Sequence, residues 1–191
     1  MMNRRNFVGS FVAAVLIGPR SGWASSQKEI RRIGVQLYTV RKAMALDFDG
    51  TLAKVAAIGY REVEFAGYFG RAPKGVKESL DHAGLVSPSA HFDYCYLGDK
   101  WPSVLDSANV IGQQYIVCPW IDENMRKEPG SWQRAAETFN RAGEVARKAG
   151  IQFAYHNHWF EFEPVDGKVP YESCSMKRIP ISSKWRWTSS G

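Results

Sequence analysis

His156, Asn157, His158 and Glu161 stand together just after the apolar run 151–155. Imidazole and carboxylate are the groups that move protons near neutral pH and that bind divalent ions. If the run is a strand that continues past Tyr155, alternation turns His156 and His158 to one side and Asn157 to the other, and Glu161 could reach back from the next loop. The plain alternative is that one or both histidines are packing residues with satisfied hydrogen bonds. Glu64 lies in a second strand-like run, where a charge is costly unless it faces a polar mouth or pairs with a neighbour such as Arg61. His91, ahead of Phe92-Asp93, could touch a substrate or hold a structural hydrogen bond. Gln36 and Tyr38 end the first run, although tyrosine also packs well in a sheet wall. Trp120 and Trp159 could offer apolar faces on which a ligand stacks, or could be aromatic core.

The elements that must carry these residues repeat one phrase. Apolar runs at 33–40, 62–65, 85–91, 115–119 and 151–156 read as strands, and between them the segments 48–58, 74–83, 101–111 and 132–149 show apolar residues at helical spacing. Gly59, Gly84, Gly112 and Gly150 each follow a helix and precede a strand, and Ser131 is placed to cap the longest helix. Strand-helix alternation makes a parallel sheet, either open and doubly wound or closed as a (β/α)8 barrel. No Gly-x-Gly-x-x-Gly follows the first strand. Chemistry-bearing residues instead sit at the C-terminal ends of several successive strands, which favours the barrel.

The length, 191 residues, is short for a barrel of about 250. Five of eight strand-helix units are accounted for. The formal charge is +6, but Arg4, Arg5 and Arg20 in 1–24 and Lys177, Arg178, Lys184 and Arg186 in 173–191 carry seven positive charges with no acid. The body between them is therefore at −1, which argues against a nucleic-acid partner. Residues 1–24 read as an export signal: Arg4-Arg5 before an apolar segment and Gly22-Trp23-Ala24 resemble the twin-arginine class, so a periplasmic or secreted location is expected. The apolar segment is too short for a stable membrane anchor. Cys95, Cys118 and Cys174 have neither metal-ligand spacing nor the even count of a disulfide framework. Residues 173–191 show no periodicity and read as an aberrant, disordered tail.

Gly34-Val-Gln-Leu-Tyr-Thr-Val40, Gly59-Tyr-Arg-Glu-Val-Glu-Phe65, Ser89-Ala-His-Phe-Asp93 and Tyr155-His-Asn-His-Trp-Phe-Glu-Phe162 together resemble the sugar phosphate isomerase/epimerase family, which has the xylose isomerase-like TIM barrel fold. The resemblance runs from about residue 33 to 171 and implies an incomplete α/β barrel domain over 32–172. It implies a divalent metal, Mn²⁺, Mg²⁺ or Zn²⁺, that polarises a sugar carbonyl while a carboxylate moves the neighbouring proton. His156 falls where many relatives have a ligand glutamate and becomes a candidate ligand with Glu161; the departure to imidazole favours softer metals. Glu64 and His91 become the catalytic candidates, and Gln36, Tyr38, His158 and Trp159 the substrate-binding ones. The family continues into a helix and a sixth strand. Permitted codons allow one restored base near Glu172 to spell such a segment, so the tail reads as frameshifted, with the metal incompletely ligated and activity impaired. The alternatives are a lyase or hydrolase of oxidised sugars and a non-catalytic periplasmic sugar-binding protein. The oligomeric state is not legible.

Overall fold

The computed structural model describes residues 32–165 and 167–175. The export signal and most of the tail lie outside the described residues. Five strands, β1 (Gly34–Gln36), β2 (Glu62–Ala66), β3 (Val86–His91), β4 (Tyr115–Cys118) and β5 (Gln152–Tyr155), form one parallel sheet in chain order. The helices are α1 (Arg41–Leu46), α2 (Phe48–Ile58), α3 (Pro73–Ala83), α4 (Trp101–Ile111), α5 (Glu123–Arg126), α6 (Ser131–Lys148) and α7 (Pro170–Ser175). No helix among the described residues is long and apolar enough to cross a membrane.

The spacing signals translate into packing. Val63 and Phe65 of β2, Ala90 of β3 and Ile116 of β4 are buried on one face of the sheet, together with Leu52 and Val55 of α2, Val76 and Leu80 of α3, and Val104, Leu105 and Ala108 of α4. Phe48 stacks on Phe65 at 5.9 Å between ring centroids, and Trp101 Nε1 donates to the Ala142 carbonyl at 3.0 Å, tying α4 to α6. Gly84 and Gly112 adopt φ of 67° and 87°. In that left-handed region the chain can leave α3 and α4 and enter the next strand after two and three residues.

Three boundaries differ from the expectation. The first strand is short, because after Gln36 the chain tightens into a 3-10 helix over Leu37–Val40. The strand β5 stops at Tyr155, so His156 and His158 lie beyond it. Ser131 does not cap α6: the cap position is Gly130, in a left-handed conformation, and the Ser131 hydroxyl donates instead to the Arg126 carbonyl at 3.0 Å. The site of the cap moved because the preceding α5 turn offers that carbonyl first.

A fourth feature had no sequence signal as an element. Glu62 pairs with Val86 but Glu64 pairs with Ser89, so β3 carries one extra residue over this interval, a bulge. Pro88 lies in it, where its missing N–H costs no ladder bond. The shift places Ser89, rather than Pro88, opposite Glu64.

Because Phe65 is fully buried against Phe48, Phe65→Ala should lower unfolding free energy by about 3–5 kcal/mol. Chemical denaturation would measure it. Phe162→Ala, at a residue 47% exposed, should cost far less.

Candidate functional site

The register of the parallel ladder lines up Gln36, Glu64 and Ser89 side by side across β1, β2 and β3. Neighbouring strands are about 4.8 Å apart, so polar side chains in one row can meet. They do. Gln36 Nε2 donates to Glu64 Oε1 at 3.1 Å, and Ser89 Oγ donates to Glu64 Oε2 at 2.6 Å. His91, two residues along β3 and 9% exposed, brings Nε2 to 2.9 Å from Glu64 Oε1. With Nε2 donating to the carboxylate, Nδ1 is the ring atom left to accept from Gln36 Nε2, 3.2 Å away.

Burial alone would push the Glu64 carboxyl up. The hydrogen bond and charge of His91, with the bonds from Ser89 and Gln36, outweigh it and hold the group below the usual carboxylate range. Glu64 is therefore an ion at neutral pH, ringed by donors from two other strands.

From this carboxylate a row of rings crosses the C-terminal ends of the strands. His91 lies 5.7 Å from His156, His156 lies 4.8 Å from His158, and His158 meets Trp120 at 5.0 Å and Phe160 at 5.3 Å. His156 keeps its place past the end of β5 because its N–H still bonds to the Cys118 carbonyl at 3.0 Å. Burial lowers the pKa of His156, helped by His158 and His91 and opposed by Glu64 and Glu161. His158 is lowered by burial too; Glu161 opposes, and Arg126 and His91 reinforce. Both are neutral imidazoles near pH 7.

Glu161 is fully buried. It accepts from the Tyr155 hydroxyl on one oxygen and from the His158 N–H at 2.7 Å on the other. The carboxylate thus ties the loop after β5 back to its strand.

The described residues alone do not complete a ligand set for a divalent ion. Among the described residues no three His, Cys, Asp or Glu side chains converge as a ligand set, both oxygens of Glu161 have donors, and both oxygens of Glu64 have donors.

The structure brings together Gln36, Glu64, His91, His156 and His158. Tyr38 is 54% exposed on the 3-10 helix, under the Arg41 guanidinium at 4.0 Å. Trp159 is 70% exposed and stands beside Phe160. Asp93 sits in the loop after β3. Sequence reading missed Ser89, which period two from His91 places on the same side. It also missed Arg126 and the Tyr155 bond to Glu161, for which no spacing rule exists. The Cys118 thiol is pushed up to about 12 by burial, partly offset by its bond to the Trp120 carbonyl, and is not a thiolate at neutral pH.

No protein-family model and no curated protein matches the chain. Among solved structures, it superimposes on a sugar phosphate isomerase/epimerase from Parabacteroides distasonis with a TM-score of 0.63 and 26% identity, covering 79% of this chain and 63% of that one. A xylose isomerase domain protein from Salmonella typhimurium gives 0.53 at 14% identity over 66% of this chain and 49% of that one. The chain is a partial xylose isomerase-like barrel. This barrel fold also appears in an AP endonuclease of family 2 from Brucella melitensis, at 0.55 and 14% identity over 66% of this chain and 55% of that one. The chain spans 63% of the length of the Parabacteroides protein.

The folded pKa of Glu64 lies below its unfolded value of about 4.5. Its ionisation adds stability that is fully present above that value and lost as pH falls through the folded pKa. Ser89→Ala removes one donor and raises the folded pKa, so it should cost on the order of 1 kcal/mol at pH 7 and much less at pH 3. Urea midpoints at the two pH values would show this, and an equal loss at both would contradict it.

Proposed function

We propose that this barrel mouth transfers a proton next to the carbonyl of a sugar or sugar derivative, as an isomerase or epimerase does. The observation that carries the reading is Glu64: a carboxylate kept ionised on the inner face of a central strand by Gln36, Ser89 and His91. The likeness to the Parabacteroides sugar phosphate isomerase/epimerase supports it.

In this reading Glu64 takes the proton from the carbon beside the carbonyl and returns it to the adjacent carbon or to the other face. Its low pKa secures the ionised form but weakens the base. Release of the Gln36 donor to a substrate hydroxyl would restore basicity at the moment of reaction. His91 holds the carboxylate in place through its Nε2–H. The neutral His156 ring offers an N–H to the oxyanion that develops on the former carbonyl. His158, Trp120 and the exposed Trp159 line the apolar side against which a sugar lies. A divalent ion would supply carbonyl polarisation in the family, but the described residues do not form a site for it.

The endonuclease neighbour shares the fold alone, and the net charge of −1 over the chain's body favours a small-molecule substrate over a phosphate backbone. A non-catalytic sugar binder is the rival reading. Both fail on one experiment: incubation of the protein with a panel of aldoses and ketoses in D₂O, with and without Mn²⁺, should place deuterium at the carbon next to the carbonyl. Glu64→Gln should slow that exchange at least about 100-fold while sugar binding persists. Sugar binding without exchange in the wild type would establish the binder.

A further inference from the structure

The far end of the ring row carries a cation that the proton-transfer reading does not use. Arg126, the last residue of α5, follows β4 and so lies at the same end of the barrel as His91 and His156. Its guanidinium carbon sits 3.6 Å from the centroid of Phe160 and 4.9 Å from that of Trp120. Its Nε donates to the Ile121 carbonyl at 2.9 Å. Stacking and this bond fix the plane of the group, yet among the described residues neither terminal amino group meets an acceptor. Glu123, on the same helix, is paired with Lys127 at 2.6 Å instead.

Two further observations point to a ligand at this place. The aromatic rings that carry Arg126 are those that surround His158, since Trp120 and Phe160 both pack on its imidazole. The His158 Nδ1 atom is buried without a hydrogen-bond partner, and so is Nε1 of Trp132, whose ring lies 6.4 Å from that of Phe160. Buried polar atoms are nearly always paired in folded proteins. Three sets of unsatisfied nitrogens around one aromatic pair therefore describe a site that is complete only with an oxygen-rich partner.

We propose that Arg126, carried on Phe160 and Trp120 beside His158, anchors an anionic group, a carboxylate or a phosphate, on the sugar that the Glu64 end of the mouth processes. The fixed guanidinium presents two parallel N–H groups, the geometry that carboxylate and phosphate oxygens accept in pairs. Trp120, 39% exposed, adjoins both His158 and Arg126, so a sugar can lie against it with its charge toward Arg126. This assignment rests on the sugar reading of the site and narrows it to charged sugars.

Calorimetric titration of the full chain with glucuronate, glucose 6-phosphate and uncharged glucose tests it. At least one anionic sugar should bind about tenfold tighter than glucose or better, and which one does so tells carboxylate from phosphate. Arg126→Gln should remove that advantage by about tenfold or more and leave glucose binding as it was. Arg126→Lys should keep part of it. If Arg126→Gln does not fold, added salt serves in its place: in the wild type it should weaken the anionic sugar and spare glucose. Equal binding of all three sugars, or an anionic preference that survives Arg126→Gln, would overturn the proposal. Deuterium exchange into sugars without regard to charge would end this proposal and leave the proton-transfer reading standing. Charge-dependent binding without exchange would do the reverse.

Discussion

A carboxylate on the inner face of a central parallel strand must be surrounded by donors or give up its charge. Glu64 keeps its charge, and much of the local architecture follows from how. The donors come from both neighbouring strands, and each reaches the carboxylate only because the ladder places Gln36, Glu64 and Ser89 in one lateral row. That row depends on the bulge around Pro88. Without the extra residue the imino acid would stand opposite Glu64, and the Ser89 hydroxyl and His91 ring would move to the other face, since a one-residue slip reverses every side chain.

The sheet's two faces divide the labour. Val63, Phe65, Ala90 and Ile116 bury against the helices and fix the strands, whereas the opposite face carries the polar row and stays half-buried. Beyond the strand ends, order comes from two tethers. The buried Glu161 ties the loop after β5 to Tyr155 and to the His158 backbone. The small cluster of Ile121, Trp132, Ala135 and Phe160 seats the same loop on the start of α6. Together they hold His156 and His158 in line with His91, although no strand supports them.

Much of this was legible in the sequence, for reasons that can be named. Helices α2 and α4 fall where the apolar spacing puts them, and their glycine stops take left-handed backbone as C-terminal caps require. Glu64 and His91 stand out because charged and titratable residues are rare on interior strands. What stayed hidden depends on contacts between segments far apart or on local backbone irregularity. Ser89 matters through a register that only the bulge sets. For Glu161, sequence shows the residue type but not its bonds from Tyr155 and the His158 N–H. Arg126 ends the short helix α5, which no periodicity announces, and its setting on Phe160 depends on a residue 34 positions away. The one-residue shift of the cap from Ser131 to Gly130 has the same origin, a carbonyl from α5 that no local rule reports.

The central claim is that Glu64 is a base held ionised by its neighbours rather than a buried acid. A carbon-13 titration of the Glu64 carboxyl, resolved by comparison with Glu64→Gln, measures this directly. The midpoint should fall below the ordinary glutamate value of about 4.5. A midpoint at or above that value would mean that burial outweighs the donor ring, and the site as described here would be contradicted.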